Sequence, residues 1–245
     1  MKKKSVNFIT SMLLACVFSS SAFASVTIIG TRVVYPAAEK EITVRLDNRG
    51  DQPALVQAWI DDGDPNQPVD KINVPFVMLP PVFRMEANKG QTLRIVYTGS
   101  DLPVDKESIF WLNVLDIPPK DKSRINKNQL QMAIRSRIKL FYRPAALNAQ
   151  GAETAAAGLI WRKGEKSNQL TAVNNSPYYV NVAQITAEDR AGRKVISEKG
   201  NMLAPGETKN FTLKVTNVNQ IKPMFHYQYL DDFGAAREVE SQISQ

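Results

Sequence analysis

The chain has 245 residues, of which 43% are hydrophobic, and a formal net charge of +7. That length fits one large domain or two ordinary ones, with a composition normal for a globular protein. Residues 1–24 carry three lysines and no acid, leaving 28 basic and 24 acidic residues in the remainder, an excess too small to argue for nucleic acid as a partner.

Met1–Ala24 has the layout of a secretory leader. Lys2, Lys3 and Lys4 come first, Val6 to Phe18 is apolar, and Ala22-Phe23-Ala24 forms an A-x-A end. Cleavage there leaves Ser25 as the first residue. Leu13-Leu14-Ala15-Cys16 loosely resembles a lipoprotein cleavage box, but the apolar run before it is very short. That run is also short for a membrane span and no second one follows, so no membrane insertion is expected. Cys16 is the only cysteine and His226 the only histidine. Past the leader, a disulfide, a thiolate metal site and a multi-histidine site are therefore excluded.

From Ser25 to Pro119, short strand patterns alternate with turns. They are Val26–Val34, Lys40–Asp47, Ala54–Ile60, Val74–Leu79, Val82–Glu86, Gln91–Thr98 and Ser108–Ile117. Pro80-Pro81 separates two of them, and the sequence does not say whether a cis bond precedes Pro81. Asp61–Pro68 is dense in turn formers. Asp61, Asp62 and Asp64 lack the full calcium-loop pattern and read as a solvated turn. Regular strand and turn spacing predicts an antiparallel sandwich.

A polar connection, Pro118–Lys127, leads to Gln129–Pro144. Here Leu130, Met132, Ile134, Ile138 and Leu140 hold alternate positions, with Arg135, Arg137 and Lys139 between them. The alternation predicts a strand, although the i+4 spacing of Leu130, Ile134 and Ile138 also fits a helix. Its β-like neighbours favour the strand. Whether the apolar face looks into this protein's own core is left open. Ala145–Gly158 is rich in alanine with little to bury, and reads as a linker and the start of a second unit. Strand patterns resume at Leu159–Arg162, Gln169–Asn174, Tyr178–Thr186, Lys194–Ser197, Thr208–Val215, Met224–Leu230 and Ala236–Glu240. They predict a second, smaller sandwich.

Several stretches resemble one family. L-P-V-D-K-E-S-I-F-W-L-N-V-L-D-I-P at Leu102–Pro118 is similar to the signature of periplasmic pilus-assembly chaperones, the PapD-like family. So are I-K-L-F-Y-R-P at Ile138–Pro144, S-V-T-I-I-G-T-R at Ser25–Arg32, N-N-S-P-Y-Y-V at Asn174–Val180 and D-D-F-G at Asp231–Gly234. The resemblance spans Ser25–Glu240. It implies an all-β protein of two immunoglobulin-like sandwiches in a boomerang, residues 25–144 and 145–245, after a leader of residues 1–24. It also implies a periplasmic, non-enzymatic protein without a cofactor, whose partners are pilin subunits and an outer-membrane usher.

By position, Arg32 and Lys139 match the family's anchor for the subunit's C-terminal carboxylate. Leu130, Met132 and Ile134 match the donor strand lent to the subunit. Glu107, Arg143 and Asp232 match an interdomain charge cluster, expected to act on geometry more than on stability, as exposed ion pairs do. The short connection before the donor strand resembles the branch of the family serving rod-like pili. Self-capping of the free chaperone by dimerisation is left open.

Each match has a bland counterpart. Alternating aliphatics ordinarily face their own core, and a lone Arg or Lys is ordinarily a solvated cation. His226, in M-F-H-Y-Q-Y, has no nucleophile elbow or phosphate loop to work with and reads as structural. Trp59, Trp111 and Trp161 read as core or interface anchors. The rival reading is a two-domain immunoglobulin-like surface or adhesion protein.

Overall fold

The computed structural model describes residues 26–99, 101–120, 130–197 and 199–244. Residues 1–25, with the expected leader, and residues 121–129, within the polar connection and at the start of the alternating run, lie outside that range. Nine strands form the first sandwich: β1 (Val26–Ile28), β2 (Arg32–Pro36), β3 (Ile42–Asn48), β4 (Ala54–Asp61), β5 (Phe76–Leu79), β6 (Val82–Met85), β7 (Gly90–Tyr97), β8 (Ser108–Ile117) and β9 (Ile134–Arg143). One sheet has the order β1-β3-β7-β5 and the other β2-β9-β8-β4-β6. Period-two patterning explains the core between them. Ala54, Val56, Ala58 and Ile60 of β4 point inward and meet Leu46, Leu93, Ile95, Leu112 and Leu140.

The pattern Val26–Val34 is two strands in two different sheets, not one. Gly30, with φ of 115°, lets the chain turn between them. The cis bond in the proline pair is Leu79–Pro80.

The second unit opens with a helix where a linker was expected, α1 (Ala149–Ala157). Alanine has the highest helix propensity, and Asn148 caps the first turn by accepting a hydrogen bond from the Gly151 amide at 2.7 Å. Only Ala156 of α1 is buried. Tyr227 donates its hydroxyl to the Ala156 carbonyl at 2.7 Å and so ties the helix to the core. Gly151 is required by packing, since a Cβ there would lie 2.1 Å from the Tyr178 hydroxyl.

Eight strands follow: β10 (Ile160–Lys163), β11 (Gln169–Val173), β12 (Val180–Glu188), β13 (Lys194–Ile196), β14 (Asn201–Leu203), β15 (Thr208–Thr212), β16 (Met224–Leu230) and β17 (Ala236–Ser244). Seven of them make one hydrogen-bonded path, its halves joined where the end of β17 meets β10 in parallel, and β14 pairs with β12 off that path. Trp161 is fully buried against Phe211, Phe225 and Tyr227. The three-residue β14 gave no periodic signal of its own. His226 is exposed on β16. No helix among the described residues is long and apolar enough to cross a membrane.

Candidate functional site

Strand β9 is paired along one side only for part of its length. On β8 it runs antiparallel from Ile134 opposite Asp116 to Tyr142 opposite Ser108. On its other side, β2 pairs in parallel, but only from Arg32 opposite Lys139 to Pro36 opposite Arg143. Residues Ile134–Ile138 therefore present an open edge that stops where β2 begins. Open edges are templates for strand addition.

Side chains change character along the same strand. Leu140 is fully buried and Ile138 packs at the rim of the core. Further back, Ile134, Met132 and Leu130 are 53%, 67% and 88% exposed. The expected strand does not reach Leu130 and Met132. They precede β9 without regular structure, because β8 ends at Ile117, opposite the residue before Ile134, and offers no ladder further back. Gln131 instead donates its side-chain amide to the Pro118 carbonyl. The alternating run thus divides into a core half and an exposed half.

Arg32 and Lys139, far apart in sequence, are brought side by side by the β2–β9 register. Each reaches across to the second unit and ends on a neutral oxygen. Arg32 donates Nη1–H to the Leu230 carbonyl at 3.0 Å, and Lys139 donates from Nζ to Asn181 Oδ1 at 2.5 Å. Trp111 lies beside Lys139, its ring centroid 5.8 Å from Nζ. Two donors here are buried with no partner, Arg32 Nε and Asn181 Nδ2. Burial pushes the Lys139 ammonium down to about 8, and the positive charges of Arg32 and Lys209 add to the effect. Burial also lowers Arg32, against the pull of Asp232 and Asp231. Two crowded cations and two orphaned donors thus gather at one place. A carboxylate, with four lone-pair positions, could satisfy them. Asn181 was not singled out by any sequence pattern, because one asparagine just past N-N-S-P-Y-Y-V carries no periodic or motif signal.

Glu107, Arg143 and Asp232 also come together. Arg143 donates Nε–H to Glu107 Oε1 at 2.8 Å, and its Nη1 and Nη2 form a fork on the two oxygens of Asp232 at 2.7 and 2.8 Å. Glu107 Oε2 accepts from the Tyr179 amide at 2.8 Å. The expectation of weak exposed pairs is overturned, since Arg143 and Glu107 are 6% and 4% exposed. Burial opposes the charge on Arg143, but the two carboxylates outweigh it and push its pKa up. The short motifs build this junction. In D-D-F-G, Asp231 accepts from the Phe233 and Ala235 amides, and Gly234 adopts φ of 83° to close the β16–β17 turn. In N-N-S-P-Y-Y-V, Asn174 donates to the carbonyls of Tyr178 and Ala204 and fixes the loop that meets Glu107.

Arg135 and Arg137 occupy the same face as Lys139 and are satisfied within the sandwich. Arg137 stacks on Trp111 at 4.1 Å and pairs with Asp61, and Arg135 stacks on Trp59 at 5.1 Å and donates to Asn113. Asp61, expected in a solvated turn, is fully buried. Burial works against its charge, yet Arg137, Asn113 and the Gly63 amide together hold its carboxyl low. Among the described residues, no group of acidic, histidine or cysteine side chains could hold a metal ion.

Residues 25–148 match the family described as pili and flagellar-assembly chaperone, PapD N-terminal domain, and residues 154–241 match the PapD C-terminal domain of pili assembly chaperones. The chain is 42% identical over 229 residues to the chaperone protein FimB/FhaD of Bordetella pertussis, covering 91% of this chain and 90% of that protein. It is 40% identical over 246 residues to the chaperone protein HifB of Haemophilus influenzae, covering 98% and 97%. Among solved structures, the CupB2 chaperone of Pseudomonas aeruginosa superposes with a TM-score of 0.75 at 36% identity, covering 89% of this chain and all of that one. The chain is also similar to a structure of the Salmonella enterica SafA pilin in complex with the SafB chaperone, with a TM-score of 0.73 at 27% identity, covering 91% and 99%.

Proposed function

Because the chain belongs to the PapD-like family of pilus-assembly chaperones, we propose that it is a periplasmic chaperone that captures pilin subunits on the open edge of β9. The observation that carries this reading is the place where the edge ends, at Arg32 and Lys139. An added strand anchored there by its terminal carboxylate must run parallel to β9, in line with β2. Its backbone pairs with Ile134–Ile138, and Leu130, Met132 and Ile134 enter the gap that an incomplete subunit leaves between its sheets. The carboxylate sets the register, because a slip of one residue would turn every side chain to the wrong face.

The division of labour follows from the chemistry of each cation. Lys139 and Arg32 rest on neutral oxygens, which an incoming carboxylate displaces at small cost. Arg143 is committed to two carboxylates and holds the two sandwiches together around the anchor. Release needs no nucleotide, because a strand with better complementarity, presented at an outer-membrane usher, can replace the lent one. The family is one of chaperones rather than enzymes.

Co-expression with a pilin subunit in the periplasm tests this. The wild-type chain is expected to co-purify as a 1:1 complex, and Lys139→Ala to recover none while keeping the wild-type circular dichroism. Undiminished recovery with Lys139→Ala would refute the anchor.

A further inference from the structure

Among the described residues, no large apolar side chain is more exposed than Phe233, at 89%. Leu130 comes next at 88%, and the subunit covers it in the reading above. No ring or cation contact to Phe233 occurs among the described residues. A lone apolar side chain on a loose loop needs no explanation, but Phe233 is not on a loose loop. Its turn, between β16 and β17, is fixed on both sides of the ring. Asp231 Oδ1 accepts the amides of Phe233 at 3.0 Å and Ala235 at 2.8 Å, and Oδ2 accepts Arg237 Nε–H at 2.9 Å. Asp232 is clamped by the fork from Arg143. Gly234 packs on Thr31 so closely that a Cβ would lie 2.0 Å from the threonine hydroxyl. A fixed turn that holds an aromatic ring in water is pre-organised for a partner, because the cost of ordering it falls on folding and not on binding.

The partner follows from where the turn stands. Thr31, on which Gly234 packs, directly precedes Arg32, where β2 begins and the open edge of β9 ends. Phe233 and Arg32 line one cavity, together with Phe141, Arg143 and Leu230. Along the edge, Arg135 and Arg137 share the face of Lys139, which reaches the second unit, whereas Ile134, Ser136 and Ile138 line the cleft on the β1 side. A strand added there turns every other side chain to the face of Lys139. Of its last two residues, one therefore points to that face, beside the carboxylate and toward the turn. We infer that Phe233 is the second unit's contact for that side chain, and that it selects subunits with a large apolar residue, above all an aromatic one, in the last two positions. Resting on the capture reading, this contact adds selectivity to it. The carboxylate fixes register in any subunit, and Phe233 distinguishes one C-terminal sequence from another.

The test titrates the wild-type chain and Phe233→Ala with three synthetic peptides that carry a pilin's last residues. One ends in Phe-Phe as the free acid, one in Ala-Ala as the free acid, and one in Phe-Phe as the amide. Phe233→Ala is expected to weaken binding of the Phe-Phe acid by about tenfold, the scale of partly burying an aromatic pair, and to leave the Ala-Ala acid unchanged. Phe233→Tyr, which keeps the ring, should bind both as the wild type does. An unchanged affinity of Phe233→Ala for the Phe-Phe acid, or equal weakening of both acids, would overturn the inference. So would a lower urea midpoint for Phe233→Ala, since the ring would then belong to the protein's own fold. The amide separates this contact from the anchor beneath it. If the wild-type chain prefers acid to amide while Phe233→Ala changes nothing, the anchor stands and the Phe233 contact falls. If acid and amide bind the wild-type chain alike, capture by the carboxylate falls, and the contact with it.

Discussion

Lys139 and Arg143 stand four residues apart on one strand, face the same way, and reach from the first sandwich to the second, yet they are treated differently. Arg143 is buried and spends its guanidinium on Glu107 and Asp232, ringed further by the Tyr179 amide on Glu107. Among the described residues, Lys139 finds the neutral Asn181 oxygen and the Trp111 ring, and no acid. A cation given two carboxylates is a fastener. A cation kept half-buried with a depressed pKa and no acid paired to it among the described residues suits the receptor role proposed for it. The difference lies in what the second unit presents to each: the D-D-F-G turn to Arg143, and the start of β12 to Lys139.

The largest effect that sharpens this contrast is on stability. Arg143→Ala strands Glu107 as a buried, uncompensated acid, and is expected to cost about 3–5 kcal/mol, read as a lower urea midpoint. A loss under 1 kcal/mol would place Arg143 with the weak surface pairs and erase the distinction.

Next comes the pH response of capture, which belongs to Lys139 alone. The ammonium is the binding form, and in the free protein it loses its proton near pH 8. A bound carboxylate raises that value, so binding takes up a proton. Affinity for a subunit's C-terminal peptide should be flat up to pH 7.5 and then fall, approaching tenfold per pH unit above 8. Lys139→Arg, which cannot deprotonate in this range, should abolish the decline. The smallest effect concerns the exposed half of the strand. Ile134→Glu should weaken capture of a whole subunit by about tenfold, the scale of losing one buried aliphatic side chain, with circular dichroism unchanged. Unfolding of that variant would show that Ile134 belongs to the protein's own core.

Much of this site was legible before any coordinates. Short strand patterns between turns pointed to β4, β7 and β8, and β-like neighbours decided β9, whose alternation alone also fitted a helix. The family motifs placed Arg32, Lys139, Glu107, Arg143 and Asp232 in two groups; the β2–β9 register brings Arg32 beside Lys139, and the D-D-F-G turn carries Asp232 to Arg143. Other features depend on distant partners and left no local trace. Whether Glu107 is buried is decided by the loop 177–179, some 70 residues away. Asp61 reads as a turn acid because the turn begins beside it, while its burial comes from Arg137 folding over Trp111. The helix Ala149–Ala157 shows no amphipathic stripe, so its existence rests on propensity and the Asn148 cap. The irregular start of the alternating run has the reverse cause. Leu130 and Met132 alternate as strand residues should, but the neighbouring strand stops before them.

Reception of a terminal carboxylate by Lys139, with Arg32 beside it, separates two synthetic peptides that carry a pilin's last residues, one ending in the free acid and the other in the amide. Titrated against the wild-type chain at pH 7, the acid is expected to bind at least tenfold more tightly than the amide, and that preference should vanish in Lys139→Ala. Equal affinity of the wild-type chain for the two peptides would contradict the account.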